Sequence, residues 1–482
     1  MRRERTSSEV HLDPRDPAFA RVSEAFVRAC GEIFGSDHLY VMPLYGEMNP
    51  AATREESQRV RVACARAWTE GMRAADPAGV AQLDSWSFLG HPDLSPDEVR
   101  EVLEAIPGGA VFIADTWADA HPLYPRLHHF FERPWAFSVL HCMAGNSGLH
   151  GDIAGLVAHV QGVVRAPETR NCRHFTVEPE VIGHNPLFYD LLVHLAWSLA
   201  SVDVRDFGYD YAVRRWGESS LPRTMGLVQE LLQSVYGRED WTGPQYQQGP
   251  GVTRDTRLET RLPFRDRLRM ALALALEDAG RGGPGELLLQ DIVEIGQQYL
   301  GEVYNAHWLC LQAAFEDNEA GAVRREGETL CAVLQAQADL LGTHPEWTLG
   351  AEVRRGLRTG VSPSEAARRV KARYAYLGIE YGLGREQYPF LVDYARRNRA
   401  ELVTHYYLPR LRAYLEALER RLQDATGKPF PADHPGSGGL ASEYRRIVEA
   451  FVEGPVPLSE TADVDPAAVV AAAWRVIDDA NF

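Results

Sequence analysis

One alternation constrains this chain more than any other feature. Short apolar runs at 38–44 (HLYVMPL), 80–86 (VAQLDSW), 110–117 (AVFIADTW), 134–143 (PWAFSVLHCM) and 175–182 read as strands. Amphipathic segments at 55–75, 96–106 and about 123–131 separate the first four. Strand, helix, strand in repetition means parallel β/α architecture, because a helix must carry the chain back before the next strand begins. Ser95-Pro96-Asp97-Glu98 is a capping box with proline at the first helical position, a specific start signal for one crossover helix. Asp16-Pro17 opens an earlier helix in which Phe19, Val22, Phe26, Cys30 and Ile33 recur at helical spacing.

From about residue 216 the strand signal ends. Segments 265–279, 287–316, 320–341, 362–381, 391–425, 442–452 and 465–479 read as helices, and Ser362 with Glu365 repeats the capping signature. The Gly/Pro/Gln-rich stretches 242–252 and 428–439 read as loops. The expected organisation is a partial (β/α)8, TIM-type barrel over 1–215, the catalytic portion, and an all-helical C-terminal domain over 216–482.

Composition mainly excludes. At 482 residues the chain exceeds a single core, which stops growing near roughly 250–300 residues. A net charge of −17 argues against binding nucleic acid or an anionic membrane, and no stretch approaches the ~18–20 apolar residues of a membrane span. The six cysteines are scattered, without zinc-type spacing, so free thiols and a reducing, cytoplasmic setting are expected. The opening MRRERTSSEVHLDPRDP has no apolar run behind its basic start, unlike a secretory signal. Sixteen histidines form no metal motif, and AGNSGLHG (144–151) matches neither GxGxxG nor a phosphate loop. Neither metal nor cofactor is expected.

Chemistry concentrates where the strand-like runs end, the position at which β/α barrels build their sites. Glu47 follows the first run, Trp86 closes the second, Asp115-Thr116-Trp117 ends the third, and Glu180 lies in the last. Two carboxylates across one sugar form the basic apparatus of glycoside hydrolysis, and tryptophans stack on sugar rings. The residues alone leave a second reading open, in which these carboxylates cap helices or face solvent and the tryptophans pack. Trp135 is expected to pack.

The ordered series LDPRDPAFARVSEAF, IFGSDHLYVMPLYGEMNP, SWSFLGHP, VFIADTWADAHPLY, LHCMAGNSGLHG, VEPEVIGHNPLFYDLL and DYARRNRAELVTHYYLPRLRAYLEAL resembles the α-N-acetylglucosaminidases of glycoside hydrolase family 89, nearly end to end. The resemblance implies removal of terminal α-linked N-acetylglucosamine from a small carbohydrate substrate by a retaining double displacement. It implies Glu180 as nucleophile, in preference to Glu178, and Glu47 as general acid/base. It places Trp86, Asn146 and Asn185 in or near the sugar pocket; Asp115, Thr116, Trp117, His141 and Cys142, at or near strand ends, are further candidates for substrate binding.

Some positions depart from the family pattern. Gly46 stands where the family shows an asparagine, Cys142-Met143-Ala144-Gly145-Asn146 where it shows Asn-Phe-Gly-Gly-Asn, and no tryptophan occurs near Gly382. The family carries a small N-terminal domain and first barrel strands ahead of the stretch matched here. About five strands are therefore expected of the eight a barrel needs, with the rest supplied by a partner chain or a longer form. Two further readings are a glycosidase of other specificity and a non-catalytic carbohydrate-binding or interaction protein, and self-association as a homo-oligomer is also open.

Overall fold

The protein is described from a computed structural model, over residues 12–478 except Pro43, Glu47, Ile182, 199–200, 239–242, 248–256, Gly283, 379–396 and 424–439. Two compact units form. The first comprises Met1–His141, Leu156–Pro179 and Leu195–Ser201; the second comprises Cys142–Gly155, Glu180–His194 and Val202–Phe482.

The first unit holds five strands: β1 (Leu39–Met42), β2 (Val80–Asp84), β3 (Val111–Asp115), β4 (Trp135–His141) and β5 (Cys172–Pro179). All neighbours pair in parallel, in sequential order β1-β2-β3-β4-β5. A doubly wound sheet would reverse its order at a switch point, whereas stepwise order without reversal is the barrel arrangement. All five residues of β3 are buried, as expected of a central parallel strand covered on both faces.

Local chemistry explains the crossovers. Ser95 and Glu98 make both halves of the capping box at the start of Pro96–Glu104. Asp16 caps Pro17–Phe34, its carboxylate accepting from the Ala18 N–H, and Thr53 caps Arg54–Ala75. Trp135 is fully buried, its indole N–H donating to Asn171 Oδ1 at 3.2 Å, so packing is its role. No helix forms near 123–131 beyond one short turn. His128–Glu132 instead adopt positive φ at five successive non-glycine residues.

The apolar stripe of Pro17–Phe34 lies open. Val22, Phe26 and Ile33 are 59%, 65% and 71% exposed, while the helix packs on Arg54–Ala75 through its other side. Gly71 permits this approach: a Cβ there would lie 2.4 Å from the Ala20 carbonyl oxygen. Leu39 and Val41 of β1 are exposed as well, and among the described residues no strand pairs with the outer edge of β1.

The second unit is helical apart from the two-residue pairing of Gly151–Asp152 with Gly237–Arg238. Its centre is Glu286–Glu316, which packs against Arg257–Gly282 and Ala320–Leu341. The helices Ile153–Arg165, Pro186–Ser198, Val204–Trp216 and Leu221–Leu232 add to those expected from sequence. Much of 242–252 and all of 428–439, expected as loops, fall outside the described residues. No described helix is long and apolar enough to cross a membrane, and all six cysteines are free.

Candidate functional site

At the C-terminal ends of the strands, the first unit gathers a carboxylate cluster and an aromatic pair. The Trp86 and Trp117 rings lie 6.3 Å apart at 32°, both half-buried, and His121 sits edge-on to Trp117 at 4.2 Å. Asp84 Oδ1 accepts from the Trp86 backbone N–H at 2.7 Å, fixing the turn that carries the indole. A Cβ at Gly46 would lie 3.0 Å from Trp86 Cδ1, so this chain's glycine lets the indole lean on the backbone where an asparagine would push it away. Glu47, the residue beside it, lies outside the described residues.

Sequence reasoning missed Asp84, although Val80, Gln82 and Asp84 alternate along one face of β2 by period-two spacing. The Thr116 hydroxyl contacts Asp84 Oδ1 and lies 3.2 and 3.3 Å from the two Glu178 oxygens, while Ser138 Oγ donates to Glu178 Oε1 at 3.0 Å. One hydroxyl proton serves one carboxylate at a time, so Asp84 and Glu178 compete for the Thr116 donor. Burial, and then the neighbouring Asp84 charge, push the Glu178 carboxyl upward.

Asp115 has a different surrounding. Fully buried, it accepts backbone N–H groups from Leu123 at 3.1 Å and Tyr124 at 2.9 Å, and so ties down the loop leaving β3. Burial raises its pKa to about 7. A folded pKa above the unfolded value means that Asp115 favours the fold fully below about 3.8, and that this contribution is lost as pH rises toward about 7. Asp115→Asn keeps an acceptor for both N–H groups. Its thermal midpoint is therefore expected to be flatter than wild type between pH 4 and 7, as calorimetry across that range would show.

His141 ends β4, buried, at the edge of the first unit. The remaining candidates belong to the second unit. Cys142 is fully buried at φ 56°, and burial pushes its thiol up to about 12, so it is an inert group and not a nucleophile. Asn185 Nδ2 donates to Cys142 Sγ at 3.6 Å and to the Gly148 carbonyl at 3.0 Å, and Asn185 Oδ1 accepts from the His150 N–H at 2.9 Å. Asn146 Oδ1 accepts from the Gly148 N–H at 2.8 Å. The two asparagines thus brace one loop, 146–150, from both sides.

Glu180 is exposed and lines a cavity of about 520 Å³ with Gly145, His184, Tyr374, Arg397 and Arg399. Arg399 pairs with Glu352 at 3.1 Å and lies over Trp347 and Tyr374 at 5.7 and 5.4 Å. Arg399 is largely buried and Arg261 wholly so. The isolated string ARRNR shows no partner for its charges, because Glu352 and Tyr374 arrive from distant helices. Gly382 and its neighbours lie outside the described residues, and no group of metal-ligating side chains occurs among the described ones.

The fold defines a β/α-barrel protein with an appended all-helical domain, and comparison with known proteins agrees. Residues 1–199 match the alpha-N-acetylglucosaminidase tim-barrel domain, and residues 207–472 match the C-terminal domain of the same family. The chain belongs to the alpha-N-acetylglucosaminidase family. It is 27% identical over 427 residues to the human alpha-N-acetylglucosaminidase, covering 87% of this chain and 56% of that protein. Among solved structures it resembles the Clostridium perfringens family 89 glycoside hydrolase in complex with its substrate GlcNAc-alpha-1,4-galactose, at TM-score 0.74 and 17% identity, covering 95% of this chain and 50% of that one. The same enzyme in complex with PUGNAc matches at TM-score 0.73 and 17% identity, covering 95% and 51%. The chain spans about half the length of these relatives.

Proposed function

We propose that this chain acts as a retaining glycosidase on terminal α-linked N-acetylglucosamine, with Glu180 as nucleophile and Glu47 as general acid/base. The observation that carries the reading is the position of Glu180, directly after β5 and exposed to a cavity in a chain of this family. In the first displacement the Glu180 carboxylate attacks the anomeric carbon while Glu47 protonates the departing oxygen; water then cleaves the glycosyl ester with Glu47 as base. Trp86 and Trp117 supply the apolar platform for the sugar.

A chromogenic α-N-acetylglucosaminide tests this: the chain is expected to release the chromophore from the α-linked and not the β-linked compound. A folded chain that binds N-acetylglucosamine in calorimetric titration without hydrolysing either compound would establish the carbohydrate-binding reading instead.

We also propose that the open face of Val22, Phe26 and Ile33 is covered by a second copy of this chain. A contiguous exposed apolar face of this kind marks an interface. Sedimentation should show the wild-type chain associating with rising concentration and a Phe26→Glu/Ile33→Glu variant, unchanged in circular dichroism, sedimenting as a monomer. Monomeric wild type at every concentration would contradict it.

A further inference from the structure

We infer that Glu294, on the long helix Glu286–Glu316, is a positioning residue that holds the segment bearing Glu180 in place through the backbone of Asn185. The inference rests on the reading of Glu180 as nucleophile, and nothing in the proposed reaction itself uses Glu294.

The geometry is specific. Glu294 is 2% exposed, and its Oε1 accepts the Asn185 N–H at 2.9 Å. Asn185 is fully buried and held at φ 58°, a left-handed conformation that a non-glycine residue keeps only when its surroundings impose it. Its side chain is committed to Gly148, His150 and Cys142, so Glu294 supplies the fixing contact on the backbone side. Asn185 in turn starts the helix that follows, its carbonyl accepting from the Tyr189 N–H at 3.1 Å, and Tyr189 reaches back to donate to the Val181 carbonyl at 2.9 Å. Four residues separate Glu180 from Asn185. One end of that short segment leaves β5, and Glu294 pins the other.

The charges around Glu294 are mixed. Asp291, one turn earlier on the same helix, is engaged by Arg215 at 2.7 Å and by the Trp216 indole at 2.8 Å. His184 Nδ1 lies 3.9 Å from Glu294 and makes no hydrogen bond; burial, then Arg399 and Arg397, hold this imidazole neutral, with its pKa lowered to about 3. Tyr211, Tyr236 and Cys142 complete the titratable groups facing it, all pushed upward chiefly by burial. Arg215, though paired with Asp291, and the Asn185 N–H both lower Glu294, but burial outweighs them. Burial therefore raises Glu294 to about 8, and near neutrality it accepts from Asn185 as a neutral acid. The Asn185 N–H favours the ionised carboxylate, so the contact persists when that proton is lost.

The test compares the full-length wild type with Glu294→Gln and Glu294→Ala. For Glu294→Ala, kcat on the chromogenic substrate should fall roughly 10- to 100-fold with KM changed less than about threefold, because misplacement of a reacting group by about 1 Å costs on that scale. Glu294→Gln keeps the acceptor and loses the proton, so its kcat should stay within about threefold of wild type at pH 6. Hydrogen exchange of the peptide spanning 180–190 is the second readout and needs no activity: at a single pH, protection should be low in Glu294→Ala and stay close to wild type in Glu294→Gln. Equal protection in all three proteins, or wild-type kcat in Glu294→Ala, would overturn the inference. An inactive wild type that still shows the exchange pattern would overturn the role of Glu180 and leave the clamp standing.

Discussion

Glu180→Gln is expected to lower kcat on an activated α-N-acetylglucosaminide by roughly 10³- to 10⁶-fold, the range seen when a covalent nucleophile is removed. Glutamine preserves volume and an acceptor oxygen but cannot form the glycosyl ester, so the loss falls on chemistry and not on binding. Glu180 is exposed, and substitutions at such positions usually change stability by no more than about 0.5 kcal/mol. The variant should therefore melt with wild type, and steady-state kinetics beside a thermal melt would check both halves. Glu178→Gln gives the contrast. Glu178 sits in the first unit's cluster, accepting from Thr116 and Ser138; the amide keeps an acceptor oxygen there and should cost far less. Equal losses in the two variants would assign the nucleophile wrongly.

The second large effect is on stability. Arg261 and Glu302 are each 1% exposed and hydrogen-bond one another, with Asn305 and Gln298 donating to the same carboxylate at 2.9 and 3.3 Å. Arg261→Met leaves Glu302 as an uncompensated buried charge and should cost about 3–5 kcal/mol in urea denaturation. Adding Glu302→Gln removes the orphan charge and keeps acceptor and donor for its neighbours. The double variant is expected to regain about 2 kcal/mol or more over Arg261→Met alone. Arg261→Met within about 1 kcal/mol of wild type would show that solvent reaches the pair.

These residues also show where a sequence is readable and where it is not. The strands were legible because parallel strands buried on both faces must be nearly continuous apolar runs, and each expected run contains or overlaps an observed strand. The capping box at Ser95 was legible because its partners lie three residues apart. Periodicity also revealed the stripe of Val22, Phe26 and Ile33, but not whether anything covers it; period reports which residues share a face, and here the face is open. Asp84 went unread because its meaning comes from Thr116 and Glu178 on neighbouring strands. Arg261, Arg399 and Glu294 were hidden for the same reason: burial and ion pairing are made by helices far apart in sequence, and charge alone reads as surface. The left-handed run at His128–Glu132 had no glycine to announce it.

The central claim, a retaining displacement on an α-linked sugar, meets its most direct test in the anomer first released. Proton NMR of N-acetylglucosamine freed from an aryl α-N-acetylglucosaminide, recorded before mutarotation, is expected to show the α-anomer first with the β-anomer growing in later. First appearance of the β-anomer would mean a single inverting displacement, and Glu180 would then be no nucleophile.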